Sequence, residues 1–244
     1  MADLNAKVEL LPLPMQEALD FWRTKVPLTE EQFSLLHRQV KMRAFTVSGI
    51  TALDVLQDIL TELDRVLAEG LTLSDFRQSV NGLLERRGWE GLTPYQADNV
   101  FRTNILTAFQ VGRYKQMTDP DVLDARPYWM YDAVNDARTR PAHRALDGKV
   151  YRHDNAFWQT WYPPNGFRCR CTVRTLSEGD LQRQGLTVSE DIPHLAAPPG
   201  QAPVPVIPDP GWDFNPGEAA WRPDLTKYPE ELRAAYEART KARL

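Results

Sequence analysis

The chain has 244 residues, 42% hydrophobic, 10% aromatic and 25% charged, with a formal net charge of −4, so at about 1.6 times a typical ~150-residue domain it accommodates one large or two small domains. This balance is too apolar for a disordered chain and too polar for a membrane protein, and the acidic total excludes a protein that coats nucleic acid over its whole surface. Two cysteines exclude a disulfide scaffold and point to a reducing compartment, the longest uncharged stretch (192–208) holds six prolines and is no spanning helix, and Met1-Ala2-Asp3-Leu4 opens no secretory signal.

Residues 1–118 read as helices, 119–178 as a compact aromatic-rich and basic segment, and 179–244 as a proline-punctuated tail. The helices announce themselves by their caps. Thr29 with Gln32, and Thr72 with Asp75, are each spaced as a capping box, with Leu28 and Phe33 placed as a hydrophobic staple. Thr93-Pro94-Tyr95-Gln96 repeats the pattern with proline at the first helical position, where its missing N–H costs nothing. Leu53, Leu56, Leu60, Leu63 and Leu67 mark one face of a helix that stops near Gly70, and Gly88 closes the next. A helix from Pro94 to about Met117 sets Phe101, Ile105, Ala108 and Gly112 on a narrow face suited to close packing.

After Asp119-Pro120 the period changes. Tyr128-Trp129-Met130-Tyr131 with Val134 reads as a strand, and Arg168 to Arg174 alternates strictly, predicting a half-buried strand with its arginines on one face. Between them, Pro141 to Asp147 predicts a short helix ended by Gly148, and Pro163-Pro164-Asn165-Gly166 a turn. The tail from Pro193 to Pro216 carries eight prolines in 24 residues, which predicts polyproline II backbone without a core of its own. Trp212, Phe214 and Trp221 interrupt it and need a surface to dock on, either the body or a neighbouring molecule; a final helix spans about Pro229 to Arg243. The fold class is therefore α+β: an N-terminal helical region packed with a small antiparallel β-containing core, followed by an extended proline-rich tail.

From Arg138 to Arg174 there are eight Lys and Arg against two acids. Arg144, Lys149, Arg168, Arg170 and Arg174 are thus candidates for a surface that meets an anionic partner, and the competing reading is a solvated face paired with acids of the helices. Cys169 and Cys171 are two apart, so on a strand both thiols face one way. With His143 they supply three of the four donors of a tetrahedral structural zinc; two further readings stand, thiols packed beside a hydrogen-bonded His143, and redox chemistry.

Enzyme signatures are sparse. The zinc-deaminase pattern fails because Ala145 stands two after His143 and the cysteines are one residue too close; HExxH, GxSxG and a phosphate loop do not occur. Asp136, His143 and Asp147 remain as ligands for a catalytic divalent ion in a hydrolase acting on nucleic acid or peptide, and a DNA-binding module is a second alternative.

The ordered set Asp136-x-Arg138-x-Arg140-x-x-His143, Leu146-Asp147-Gly148, and Pro163-Pro164-Asn165-Gly166-x-x-Cys169-x-Cys171, with Gly211-Trp212-Asp213-Phe214-Asn215-Pro216-Gly217, resembles the phage Mu F-like minor head proteins. The likeness runs over roughly residues 95 to 220. It implies a non-enzymatic minor capsid protein of a tailed phage or prophage. Such a protein acts in head assembly near the portal, with portal and other head proteins as partners and packaged double-stranded DNA as a contact. It implies a place in the virion head, in the bacterial cytoplasm during assembly, and no membrane or small-molecule substrate. Longer relatives append a toxin or protease domain; after residue 217 only a short segment remains here, so no such payload is expected. Asp136, Arg138, Arg140, Asp147 and Gly148 belong to the core motif, and Arg138, Arg140, His143, Cys169 and Cys171 are expected to organise the core, with Asp136 and Arg138 paired.

Overall fold

The computed structural model describes residues 14–37, 39–195 and 202–221, with 230, 231, 233 and 234. The expected final helix lies almost wholly outside the described residues. In chain order the elements are α1 (Gln16–Trp22), β1 (Val26–Pro27), α2 (Glu30–Ser34), a 3-10 turn (Val40–Arg43), β2 (Ala44–Phe45), α3 (Leu53–Glu69), α4 (Leu73–Arg86) and α5 (Pro94–Met117). There follow α6 (Pro120–Ala125), β3 (Tyr128–Asp132), α7 (Pro141–Leu146), β4 (Val150–Arg152), α8 (Phe157–Trp161), β5 (Thr172–Leu176), α9 (Glu178–Gln184), β6 (His194–Leu195), β7 (Val204–Pro205) and α10 (Pro216–Trp221). The class is α+β.

The helical caps form as the sequence dictates. Thr29, Thr72 and Thr93 each accept from the third helical amide while Gln32, Asp75 and Gln96 reach back. Gly70 closes α3 with φ of 67°, a left-handed value that suits glycine. Leu56, Leu60, Leu63 and Leu67 are buried with Val55, Ile59 and Val66, whereas Leu53, at the first turn of α3, stays exposed. Gly112 lets α1 lie directly on α5: a Cβ there would stand 2.7 Å from the amide nitrogen of Ala18.

Around these helices sits one apolar cluster that includes Trp22, Phe45, Leu63, Phe76 and Val111. A second, aromatic cluster gathers Trp129, Tyr131, Tyr151, Phe157, Trp158, Trp161 and Tyr162. Helix α5 serves both, placing Ala97 to Val111 in the first and Tyr114 and Met117 in the second. The sheet of the second region has order β4-β3-β5, all antiparallel, with Met130 opposite Val150 and Arg174, and Tyr131 opposite Val173.

Two expectations change. The strand expected from Arg168 begins at Thr172 and runs to Leu176; residues 168–171 form a loop, with Arg168 at φ of 57°. Burial still alternates through Cys169, Cys171 and Val173, which is the pattern the alternation detected. Helices α6, α8 and α9 were not expected; α6 and α9 carry caps of their own, Asp119 and the Ser177–Asp180 box. In the tail, Phe214, Ala219 and Ala220 enter the helical core, α10 packs on α5, and the indole of Trp221 donates to the Val111 carbonyl at 2.8 Å. Residues 206–221 are therefore docked on the body, with Phe214 and Trp221 among the anchors.

Candidate metal centre

Helix α7 starts with Pro141 at its first position, which puts His143 over the end of β3. The imidazole is 2% exposed and sits edge-on to Tyr131 and Trp161, with ring centroids 6.5 and 6.1 Å away. Its Nδ1 faces two sulfurs, Cys171 Sγ at 3.4 Å and Cys169 Sγ at 3.6 Å, and its Nε2 is buried without a hydrogen-bond partner. The ligand atoms of these three residues all lie within 4.8 Å of one another; among the described residues no other group of His, Cys, Asp or Glu converges in this way.

The sulfurs are electrostatically unequal. A hydrogen bond from Cys171, reinforced by His143, holds the Cys169 thiol well below its ordinary range in spite of burial. The same contact, together with burial, pushes Cys171 up, so the pair gives up one proton readily and keeps the second. Burial, then the nearby sulfurs, raises the Tyr131 hydroxyl.

The other motif residues hold this centre in place. Asp136 binds Arg170, the residue between the cysteines, through two short bonds of 2.5 and 2.6 Å, while its Oδ1 accepts the Arg138 amide at 2.9 Å. Those bonds, the Arg170 guanidinium first, hold the Asp136 carboxyl far below the usual range. Arg138 reaches Asp136 only at 3.7 Å, so the tight partner is Arg170. Asp147 accepts from the Ala133 amide at 2.8 Å and from Asn135 Nδ2 at 2.5 Å, fixing the turn where Asn135 adopts φ of 58°. Gly148 takes the left-handed φ of 73° that ends α7 and donates to the Tyr131 carbonyl.

Arg140 ties the tail to the site: its Nη2 donates to the Phe167 carbonyl and to Asp209, both at 2.9 Å. Gly166 makes the crossing possible, because a Cβ there would run into the Asp209 carboxylate and lie 3.2 Å from the Arg140 guanidinium carbon. Arg168 pairs with Asp98 on α5 at 2.5 Å and lies over Tyr95. Arg144 donates to the Asp136 carbonyl at 2.7 Å, whereas Lys149 is half-buried and Arg174 is exposed on β5.

Asp136, His143 and Asp147, the trio considered for catalysis, turn to different partners: a guanidinium, two sulfurs and a backbone amide. The sequence reading also missed three side chains. Asn165, fully buried, accepts from the Tyr131 hydroxyl at 3.0 Å and donates to the Thr160 carbonyl. Gln110 of α5 donates to the Cys171 carbonyl at 3.1 Å, and Thr103 Oγ1 accepts the Arg168 amide at 3.2 Å. The signal available for Gln110 was a polar residue on the packing side of an otherwise apolar helix face.

Residues 57–174 match the family described as Phage Mu protein F like protein. The match begins inside α3, ahead of the motif-bearing part, and ends within β5. The chain is 34% identical to the "Putative capsid assembly protein F" of Escherichia phage Mu, over 87% of this chain and 56% of that protein. It is 39% identical to the "Mu-like prophage FluMu F protein" of Haemophilus influenzae, over 60% of this chain and 38% of that protein. The chain therefore spans about half the length, or less, of the curated relatives it matches. No solved structure matches it. The matched span holds His143, Cys169 and Cys171, and by motif, family match and relatives together this chain is a Mu F-like phage protein.

Proposed function

We propose that this protein is a head component of a tailed phage or prophage, acting in capsid assembly next to the portal as a structural part and not as an enzyme. The observation that carries the reading is its likeness, along 87% of the chain, to a protein named for capsid assembly. The geometry agrees with it: Asp136, Arg140, Asp147 and Arg168 are spent on internal bonds that join α5, α7, β5 and the tail. Such a centre fixes a shape, which is what a partner surface needs. No described helix is long and apolar enough to cross a membrane. The partners are portal and other head proteins. Packaged DNA meets Arg144, Lys149 and Arg174, since Arg168 and Arg170 are already paired with carboxylates.

The test is a deletion of the gene in a phage or inducible prophage that carries it. Loss of infectious heads, with the protein co-purifying with portal from assembling particles, is the expected result. Normal titres of infectious particles without it defeat the proposal. DNA contact is checked separately: duplex affinity falls steeply with salt, and Arg174→Ala flattens the slope by about one unit.

A further inference from the structure

We propose that His143 Nδ1, Cys169 Sγ and Cys171 Sγ are three ligands of one zinc ion whose fourth ligand is a water molecule. Tetrahedral zinc bonded at about 2.0–2.1 Å to nitrogen and about 2.3 Å to sulfur has nitrogen–sulfur edges of about 3.5 Å. The measured separations are 3.4 and 3.6 Å. Ordinary hydrogen bonding explains this arrangement less well. A neutral imidazole offers one lone pair at Nδ1, yet two sulfurs stand within reach of it. Zinc removes the mismatch at Nδ1, because one ion accepts the imidazole lone pair and both thiolates together. Two sulfurs and a nitrogen select zinc over magnesium or calcium, which take oxygen ligands.

The fourth position is defined by what stands near it. No described carboxylate, thiol or imidazole joins the three. A cavity of about 20 Å³ opens beside them, bordered by Thr139 and the guanidinium-bearing residues Arg138, Arg140, Arg168 and Arg170. That space is large enough for one water. Three protein ligands and a water leave one coordination position open; the three ligands themselves join α7 to the loop before β5.

Two groups position the ligands without touching the metal. Asp136 holds Arg170, and so orients the cysteines on either side of it; Gln110 holds the Cys171 carbonyl. Supporting bonds of this kind alter metal affinity about 10–100-fold when removed.

The experiment is elemental analysis of the full chain purified from zinc-replete medium, followed by cobalt exchange. About one zinc per chain is expected, and the cobalt form should show thiolate charge-transfer absorption with the intense visible bands of a tetrahedral site. Less than about half an equivalent in folded protein, or a cobalt spectrum without thiolate bands, overturns the proposal. Zinc retained in full by the Cys169→Ser/Cys171→Ser double variant overturns it as well. Asp136→Asn should weaken zinc binding about 10–100-fold while leaving the cobalt spectrum tetrahedral; an unchanged affinity removes Asp136 from its positioning role. Failure of these metal tests leaves the assembly role standing, and normal head production without the gene leaves the zinc site standing.

Discussion

In the helical region the bonds that start α2, α4 and α5 join residues three apart, Thr29 to Gln32, Thr72 to Asp75 and Thr93 to Gln96. Around His143 the holding bonds span far more chain: 34 residues from Asp136 to Arg170, 61 from Gln110 to Cys171, 65 from Thr103 to Arg168. Local bonds form as soon as a segment turns helical, whereas long-range ones repay loop closure only when the distant elements have met. The first region can therefore organise early and offer α5 as a platform, and the second depends on that platform. Helix α5 belongs to both cores and α10 from the tail packs on it, which makes the two regions one cooperative unit despite their different construction.

The sharpest way to break this view is a matched pair of core truncations. Trp129 is 1% exposed and faces the rings of Tyr114, Trp158 and Tyr162 at 5.5 to 6.0 Å. Trp129→Ala should cost about 3–5 kcal/mol, and Leu63→Ala, fully buried in the helical core, about 2–5 kcal/mol. With α5 shared, each variant should shift the far-ultraviolet circular dichroism and tryptophan fluorescence transitions together. Separated transitions, with helical signal surviving loss of the aromatic signal, would show that the regions unfold independently.

A smaller effect sharpens the comparison at the contact between α1 and α5. Gly112→Ala places a methyl 2.7 Å from the backbone of Ala18, and backbone yields less easily than a side-chain tip. The expected loss is about 1–3 kcal/mol by chemical denaturation. Unchanged stability would mean that α1 is held elsewhere than on α5.

How much was legible follows the same division. The capping boxes and the apolar stripe of α3 could be read directly, because cause and effect lie within one or two turns. The α7 helix was readable from Pro141 and Gly148 for the same reason. His143, Cys169 and Cys171 were recognisable as donors, but their common focus depends on Asp136, Asp147, Asn165 and Gln110, whose partners lie far along the chain. The loop at 168–171 imitates a strand because its burial alternates, although Arg168 is left-handed and the sheet pairing starts at Thr172. Charge counting registered an arginine-rich stretch and left open its pairing with acids of the helices, as Asp98 of α5 pairs with Arg168; it did not register that Asp209 of the tail takes Arg140.

Thr93→Ala probes the local side alone. It removes the acceptor of the Gln96 amide at the start of α5 and should cost about 1 kcal/mol, within a range of about 0.5–2. The loss should be similar when measured through either region's signal, since both rest on α5.

The smallest expected effect lies where the two kinds of bonding meet, at Asp180. Its carboxylate accepts locally from Ser177, at 2.9 Å from the amide and 2.8 Å from the hydroxyl, and over distance from Arg126 at 3.0 Å. Those bonds, the Ser177 amide first, lower it to about 2, against an ordinary aspartate near 3.9 in the unfolded chain. Because the folded value is the lower one, the unfolded chain takes up the proton first. The stabilisation is complete above about pH 4 and disappears as pH falls through about 2. In acid titrations Asp180→Asn should lower stability at neutral pH and reduce the steepness of the loss between those limits. An unaltered acid limb would mean that the Ser177 cap, and not the ionised carboxylate, holds α9 against β5.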